Sequence, residues 1–337
     1  MDMDRISVIG GGAWGTALAQ MLAAVGRTTQ IWAREEEVVA SINAAHVNSL
    51  YLDGVPLHAE LHATSDLAEA GRAELVLLVT PAQFLRPITA ELAPHLRPGI
   101  PVVVCAKGIE KGSHALMSEV LAETLPEAPV AILSGPTFAI EVAKGLPTAV
   151  TLACANEALG ADIVAAVGQP HFRPYWTDDV IGAQIGGAVK NVLAIACGIV
   201  EGKGLGDNAR AALMTRGVAE IMRYGAWRGG RAETLMGLSG LGDLALTCNS
   251  LTSRNMSLGF ELGKGRSTAD ILGERRSVAE GAHTVGALAD HIKDEDIEMP
   301  ICAAMDMILN QGAALDDIIK GLLGRPYRAE QDRSEQE

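Results

Sequence analysis

The residue best suited to chemistry in this sequence is Lys190, in the segment Gly186-Gly187-Ala188-Val189-Lys190-Asn191. Apolar residues around it recur at helical spacing and predict the buried stripe of a helix, with Asp178 as its N-cap. The stripe consists of Ile181, Ile185, Val189, Val192 and Ala196. Lys190 lies off that stripe, on the same face as Gly186 and Ala194. Because these two positions carry little or no side chain, we expect an open face where the lysine can meet a small ligand. For a lysine taken alone, the ordinary alternative is a solvated position on an amphipathic helix.

A second candidate, Asp243, follows the glycine-rich run Gly237-Leu238-Ser239-Gly240-Leu241-Gly242. Three glycines in six residues disfavour a helix, so we predict a loop that presents the Asp243 carboxylate. The alternative is that Asp243 caps a helix beginning at Leu244, and the local sequence does not decide between the two.

The segment Thr252-Ser253-Arg254-Asn255 places a hydroxyl, a guanidinium and an amide at the predicted start of a helix. Such a group can hold a phosphate, because the backbone N–H groups and the helix dipole favour an anion there. A capped helix with a solvated arginine is the equal alternative. Val278-Ala279-Glu280-Gly281 precedes a further helix and, on local sequence alone, is only a capped start.

A glycine-rich turn near the N-terminus has the spacing of a dinucleotide site. Gly10, Gly12 and Gly15 follow a predicted strand, Ile6 to Ile9, and precede a predicted helix, Thr16 to Ala24. In this context the first two glycines allow a tight turn and close approach of a pyrophosphate, and the third allows close packing of helix and strand. The phosphates then rest on the helix N-terminus.

The end of the second predicted strand, Thr29 to Trp32, bears on the choice of dinucleotide. NAD enzymes carry an acidic residue there to bind the ribose hydroxyls, whereas this strand continues Trp32-Ala33-Arg34. An arginine suits a 2′-phosphate, so NADP(H) is favoured and NAD(H) is the alternative. We interpret the following Glu35, Glu36 and Glu37 as the charged first turn of a helix.

Alternating strands and helices predict the element that positions these residues, an α/β doubly wound, Rossmann-like sheet. The later strands are 75–79, 101–104, 130–133 and 148–153, separated by helices at 84–93, 113–125 and 156–167. Lys107 and the turn 134–137 fall at strand ends and so should line one crevice. After Asp178 helical patterns replace strands, at 180–200, 208–228, 254–263, 267–273, 281–293, 300–311 and 314–323. We therefore predict a Rossmann domain over 1–180, a helical substrate and catalytic domain over 181–330, and a disordered tail over 331–337.

Composition narrows the class of protein. The 337 residues are 48% hydrophobic and carry a formal net charge of −14, which argues against a nucleic-acid partner or an anionic membrane surface. The five cysteines form no C-x-x-C pair and are expected to be reduced core residues of a cytoplasmic protein. From its acidic composition we expect that the N-terminus is not a signal peptide, and no uncharged apolar run reaches the length of a membrane span. His58 and His62 lie four apart, but Gly54 and Pro56 predict a loop and no third ligand is evident, so we expect no metal.

Taken together, these segments resemble bacterial soluble NAD(P)-dependent glycerol-3-phosphate dehydrogenase over nearly the whole chain. Seven pieces in the right order carry the resemblance. They are Gly10-Gly-Gly-Ala-Trp-Gly-Thr-Ala-Leu-Ala19, Ala106-Lys-Gly-Ile-Glu110, Ser134-Gly-Pro-Thr-Phe-Ala139, Gly187-Ala-Val-Lys-Asn191, Leu238-Ser-Gly-Leu-Gly-Asp-Leu244, Ser253-Arg-Asn255 and Val278-Ala-Glu-Gly281.

The resemblance implies a role for each matching residue. Lys190 falls at the family's catalytic lysine, the proton acceptor. The substrate positions of the family fall on Lys107, Gly135, Thr137, Asp243, Ser253, Arg254 and Asn255. The dinucleotide positions fall on Ala13, Trp14, Arg34, Lys107, Ala139, Arg254, Val278 and Glu280.

The chemistry of the residues agrees with this implication. Reduction of dihydroxyacetone phosphate to glycerol 3-phosphate, a precursor of phospholipids, needs a hydride from the nicotinamide and a proton for the carbonyl oxygen. We predict that Lys190 gives the proton with its pKa lowered by burial near Lys107 and Arg254, and that Asp243 orients the ammonium. The expected partners are a small phosphorylated substrate and a second copy of the chain in a homodimer.

Two other functions are compatible with parts of the sequence. A related 3-hydroxy acid dehydrogenase also pairs a Rossmann domain with a helical one, but such enzymes place an asparagine four residues after the lysine, where this chain has Ala194. They also lack the Ser253-Arg254-Asn255 segment. A non-catalytic, dinucleotide-sensing protein would account for the glycine turn but not for Lys190 and Asp243 together.

Overall fold

The computed structural model describes residues 3–274, 279–293 and 295–327. Its strands are β1 Arg5–Ile9, β2 Thr28–Trp32, β3 His62–Thr64, β4 Leu75–Leu78, β5 Val102–Val104, β6 Val130–Ser134, β7 Thr148–Ala153 and β8 Phe172–Thr177. The helices that accompany this sheet are α1 Ala13–Ala23, α2 Glu36–Ala45, α3 Leu67–Ala70, α4 Leu85–Leu92, α5 Met117–Thr124, α6 Ala139–Ala143 and α7 Glu157–Val167. The helices that follow are α8 Val180–Gly202, α9 Asp207–Arg228, α10 Ala232–Leu235, α11 Asp243–Cys248, α12 Arg254–Gly263, α13 Thr268–Glu274, α14 Glu280–Ile292, α15 Pro300–Leu309 and α16 Leu315–Leu323.

The strands form one sheet in the order β3-β2-β1-β4-β5-β6-β7-β8. Neighbouring strands are parallel except for β6 and β7, which pair antiparallel. Strand order reverses between β1 and β4, and in such a sheet ligands bind in the crevice outside the carboxyl ends of the strands at that point. The predicted fold class, a Rossmann-like sheet followed by a mostly helical part, is confirmed.

Two strands were absent from the sequence prediction, and both lie at the edges of the sheet. β3 is only three residues long and begins at His62, which the sequence had placed in a loop. β8 contains Pro174 and has only one fully buried residue, Phe172, so a search for apolar runs does not find this strand. Pro174 is tolerated there because an edge strand can leave one side unpaired.

Helix α8 is the centre of the helical part. Residues 182–200 are all buried, because α9, α11, α12, α14 and α15 pack around the helix. The sequence predicted one buried stripe on this helix, whereas in the structure the helix is buried on all its faces over these residues. By length and composition alone α8 could cross a membrane, but 89% of its most apolar window is buried inside the fold, as in the core helix of a globular protein.

The start of α8 also differs from the prediction. The N-cap is Asp179, whose Oδ1 accepts from the Gly182 amide at 2.8 Å and whose Oδ2 accepts from the Arg231 amide at 2.8 Å. Asp178, the predicted cap, instead forms an ion pair with the Arg231 side chain. Asp179 therefore both caps α8 and connects this helix, through the Arg231 amide, to the segment that precedes α10.

The structure shows the state of the cysteines and whether side chains are grouped as metal ligands. All five cysteines are buried and free, as the sequence analysis expected. Within residues 3–274, 279–293 and 295–327 no group of three or more His, Cys, Asp or Glu side chains is placed to hold a metal ion. His58 lies in the connection before β3, and its Nδ1 accepts from the Glu60 amide at 3.3 Å.

Candidate active site

The glycine turn between β1 and α1 has the geometry that a dinucleotide needs. Gly10 has φ of +131°, and a Cβ there would lie 2.9 Å from the carbonyl carbon of Val79 on the neighbouring segment. A Cβ at Gly15 would lie 1.9 Å from the Gly10 oxygen, so only glycine lets α1 approach β1 this closely. At Gly12, the N-cap of α1, no described atom lies within 4 Å of a built Cβ. That side of the turn is open, and it adjoins the helix N-terminus.

Trp14 and Ala13 form the first turn of α1. The indole Nε1 of Trp14 is buried and has no hydrogen-bond partner in the part of the chain that the structure describes. A buried donor without an acceptor is costly, so this nitrogen marks a place where a ligand oxygen would be favourable.

Arg34 stands just past the end of β2, and its side chain is 74% exposed. Its guanidinium lies 3.2 Å from Glu35 Oε1, and Glu35 also accepts from the Tyr51 hydroxyl at 3.4 Å. Glu36 and Glu37 lie in the first turn of α2, as predicted. The Arg34 side chain therefore lies outside the core, just past the end of β2.

Two adjacent glycines, Gly186 and Gly187, allow other segments of the chain to pack closely against α8 on two sides. A Cβ at Gly186 would lie 2.7 Å from the Ser239 carbonyl oxygen and 2.8 Å from Gly240 Cα. A Cβ at Gly187 would lie 2.7 Å from Ser134 Oγ and 3.4 Å from Lys107 Cγ. The face that the sequence analysis expected to be open is thus closed by backbone packing, because the glycines let neighbouring segments approach.

Lys190 lies in this closed region, one turn beyond Gly186, and is 7% exposed. Its Nζ donates to Asp243 Oδ1 at 2.9 Å and to Thr247 Oγ1 at 2.7 Å. Lys107 Nζ donates to the other carboxylate oxygen, Asp243 Oδ2, at 2.6 Å and to the Gly135 carbonyl at 2.9 Å. Two lysines from different halves of the chain therefore share one buried carboxylate.

The burial and the charges of this cluster move both pKa values. Burial lowers the pKa of Lys190 to about 8; the nearby Asp243 opposes this shift and Lys107 adds to it. Burial alone would raise the pKa of Asp243, but Lys107 and Lys190 outweigh it and hold that pKa below its ordinary value. The carboxylate stays ionised while the lysine can exchange a proton near neutral pH.

Asp243 is placed by a π-helical turn, Leu238–Gly242, that runs directly into α11. The prediction of an irregular loop was wrong, because close packing against α8 stabilises helical backbone in spite of the glycines. The N-cap alternative is also wrong: Asp243 is the first residue of α11, and its carboxylate oxygens bind the two lysines.

Thr247 is a site residue that the sequence analysis missed. It follows Asp243 by four residues on α11, so the two side chains lie on one face, and its Oγ1 is 3.3 Å from Asp243 Oδ1. The signal was present as a D-x-x-x-T spacing, but it has meaning only if the segment is helical.

The remaining residues predicted around Lys107 lie at the ends of β6 and its following turn. Thr137 Oγ1 donates to the Gly135 carbonyl at 3.3 Å, the same oxygen that Lys107 binds. Ala139 begins α6, which packs against α1 beside the glycine turn. The structure thus brings this turn to both the lysine cluster and the dinucleotide side of the crevice.

The predicted phosphate segment does open a helix, α12. Ser253 is its N-cap, and its Oγ accepts from the Met256 amide at 3.2 Å. Arg254 is exposed at the first position of the helix. Asn255 is buried, and its amide is already bonded to Asn191 and to the Gly281 backbone. The exposed guanidinium of Arg254 is therefore better placed for an incoming phosphate than the buried hydroxyl of Ser253 or the buried amide of Asn255.

Glu280 begins α14 and reaches the carboxyl edge of the sheet. The Ala82 amide donates to its carboxyl group, while its Oε2 is buried without a partner among the described residues. Burial raises the pKa of Glu280 to about 7, and the nearby cation of Arg254 opposes that shift. Val278, the other dinucleotide position in this segment, lies outside the described residues.

A glycine turn for a dinucleotide facing a buried lysine of lowered pKa across one crevice defines an NAD(P)-dependent dehydrogenase. Comparison with known proteins narrows this class. The chain belongs to the NAD-dependent glycerol-3-phosphate dehydrogenase family, whose N-terminal model matches residues 5–160 and whose C-terminal model matches residues 179–320. The resemblance read from the seven motifs is confirmed.

Individual relatives agree over nearly the full length. The NAD(P)+ glycerol-3-phosphate dehydrogenase of Rhodospirillum rubrum is 61% identical over 330 residues, covering 97% of this chain and 94% of that one. The corresponding enzyme of Parvibaculum lavamentivorans is 56% identical over 326 residues, covering 97% and 98%. A crystal structure of glycerol-3-phosphate dehydrogenase from Coxiella burnetii superimposes with a TM-score of 0.92 at 38% identity, covering 95% of this chain and 99% of that one.

Proposed function

We propose that this protein interconverts dihydroxyacetone phosphate and sn-glycerol 3-phosphate by hydride transfer with NAD(P)H, and so supplies glycerol 3-phosphate for phospholipid synthesis. The observation that carries the proposal is the buried Lys190–Asp243–Lys107 cluster at the edge of a dinucleotide-binding sheet. The names of the full-length relatives support the same reaction.

The residues present fit a nicotinamide dinucleotide. Three features support this fit: the open side of Gly12, the buried Trp14 Nε1 and the buried Glu280 Oε2, and neither of these two atoms has a hydrogen-bond partner among the described residues. The nicotinamide, when bound, supplies the hydride. The exposed Arg34 supports a 2′-phosphate and hence a preference for NADPH over NADH.

Lys190 supplies the proton in this proposal. In the reducing direction its ammonium donates to the carbonyl oxygen as the carbon receives hydride; in the oxidising direction the neutral amine takes the hydroxyl proton. Asp243 and Thr247 each hold one N–H of the ammonium, so the third N–H is left to point at the substrate oxygen. Lys107 adds a second cation beside that oxygen and steadies Asp243.

The substrate phosphate binds at the start of α12 in this proposal. Ser253 and Arg254 stand at a helix N-terminus, where backbone N–H groups and the guanidinium can share an anion. Binding energy from the phosphate then positions the carbonyl against Lys190. We further propose a cytoplasmic homodimer with the Rossmann part over 1–180 and the catalytic part over 181–330.

The experiment that tests the function is a nicotinamide absorbance assay with purified protein, NADPH and dihydroxyacetone phosphate. We expect turnover with this substrate, little with a 3-keto acid, and a lower KM for NADPH than for NADH. Binding of NADPH without turnover of either substrate would contradict the proposal and indicate a dinucleotide sensor. Equal KM values for the two dinucleotides would leave the reaction standing and remove the role given to Arg34.

A further inference from the structure

A directed chain of hydrogen bonds joins α14, α12 and α8 beside the site. The Gly281 amide, in the first turn of α14, donates to Asn255 Oδ1 at 3.0 Å, and Asn255 Nδ2 donates to Asn191 Oδ1 at 2.9 Å. Asn191 Nδ2 donates in turn to the Gly187 carbonyl at 3.3 Å. The two asparagines are 7% and 4% exposed, so water does not replace these bonds.

The direction of this chain is fixed at both ends. An amide N–H of the backbone can only donate, and a backbone carbonyl can only accept. Rotating the side-chain amide of Asn255 or Asn191 by half a turn would oppose like groups at both of its contacts. Each asparagine therefore holds one orientation, and the chain acts as a rigid link between Gly187 and Gly281.

The link ends where α14 is seated on α8. A Cβ at Gly281 would lie 2.6 Å from the Asn191 carbonyl oxygen and 2.9 Å from Asn255 Oδ1, so the start of α14 rests directly on these two residues. The preceding residue is Glu280, which extends to Gly108 and Ala82 at the carboxyl edge of the sheet. A small movement of Gly281 would therefore move the Glu280 carboxyl in the crevice.

We propose that Asn191 is a positioning residue for the nicotinamide dinucleotide, acting through Asn255 and Gly281 to hold the Glu280 carboxyl at the carboxyl edge of the sheet. The inference rests on the proposed function, in which Glu280 contacts the dinucleotide. In this proposal Asn191, the residue next to Lys190, contributes to cofactor binding and not to proton transfer. Asn255 keeps a second N–H for substrate, so the same amide can serve both sides of the crevice.

The test is the Kd of NADPH in the absence of substrate, measured by nicotinamide fluorescence for Asn191→Leu, Glu280→Ala and the double variant. Asn191→Leu removes both side-chain hydrogen bonds of Asn191, so Glu280 loses its orientation and the Kd should rise about three- to tenfold. In the Glu280→Ala background the same change should add nothing, because the residue it positions is gone. A residue that only bound substrate, or only stabilised the fold, would not give this non-additive pattern.

A matched control is Asn310→Leu, since Asn310 is exposed and its side chain donates to Asp306 Oδ1, one turn earlier, at 2.6 Å. This variant should keep the wild-type Kd. If Asn191→Leu does not fold, Asn255→Ala breaks the same chain and is measured in the same pair of backgrounds. An unchanged Kd, or an equal factor in both backgrounds, overturns the inference. A wild-type protein that binds no NADPH would instead contradict the proposed function itself.

Discussion

The proposed proton transfer by Lys190 depends on its burial and on the charges of Asp243 and Lys107. Because burial lowers the pKa of Lys190 to about 8, the fraction of the ammonium form changes steeply around that pH. Reduction needs the ammonium, so kcat/KM for dihydroxyacetone phosphate should fall as pH rises above about 8. Oxidation needs the neutral amine, so kcat/KM for glycerol 3-phosphate should rise through the same pH.

A control for this pH profile is Asp243→Asn. The carboxylate raises the pKa of Lys190, so its loss should move both inflections to lower pH. Profiles without an inflection near pH 8 in either direction would contradict the assignment of Lys190 as the proton donor.

Thr247 offers a second test at the same scale. Thr247→Val keeps the shape of the side chain and removes the oxygen that accepts from Lys190 at 2.7 Å. Loss of that orientation should lower kcat about three- to tenfold while the Kd of NADPH stays unchanged. Steady-state kinetics and a fluorescence titration together check this prediction, and a change confined to the Kd would assign Thr247 to the cofactor instead.

At the scale of elements, the close approach of α8 and the π-helical turn decides where Asp243 lies. In Gly186→Ala the new methyl group would meet the Ser239 carbonyl at 2.7 Å, and that backbone cannot move without moving Asp243. We expect a loss of about 1–3 kcal/mol in the free energy of unfolding and at least a tenfold lower kcat.

Gly321→Ala is the matched control for this substitution. Gly321 lies in α16 with no described atom within 4 Å of a built Cβ, so alanine should be neutral or slightly stabilising there. Thermal unfolding and kcat of the two variants give the comparison. If Gly186→Ala and Gly321→Ala have the same unfolding temperature and the same kcat, the contact at Gly186 does not constrain the position of Asp243.

At the scale of the whole molecule, a chain of formal charge −14 must bind a phosphorylated substrate through local cations. Arg254→Ala should lower kcat/KM for dihydroxyacetone phosphate strongly, in kcat as well as KM, because the phosphate helps position the carbonyl. With dihydroxyacetone, which lacks the phosphate, the same change should cost little further. Loss by the same factor with both substrates would assign Arg254 to the cofactor or the fold.

Much of this molecule could be predicted from sequence, for physical reasons. Buried parallel strands leave unbroken apolar runs, and the glycine turn has a spacing that follows from its contacts, so the sheet and the dinucleotide side were predictable. The longer helices of the second half were predictable because their apolar periodicity is strong, whereas the short helices α10 and α11 were not predicted. β3 and β8 were missed because edge strands need no apolar run.

The parts of the site that could not be predicted depend on packing between distant segments. From sequence, the lack of a side chain at Gly186 predicted an open helix face. In the structure the backbone of Ser239 packs against that face and closes it. Asp243 looked like a loop residue or a cap, and the D-x-x-x-T spacing that ends at Thr247 could not be interpreted, because the helical backbone there is stabilised by α8 rather than by local propensity. The sharing of Asp243 between Lys190 and Lys107 joins residues 136 positions apart, and only the fold brings them together.

The most direct test of the proposed mechanism is the turnover of Lys190→Ala with saturating NADPH and dihydroxyacetone phosphate, together with its Kd for NADPH. Loss of the general acid should lower kcat about 10²–10⁴-fold, while the Kd stays within about twofold of wild type because Lys190 does not contact the dinucleotide in this proposal. A variant that keeps more than about a tenth of the wild-type kcat would contradict the role of Lys190 in catalysis.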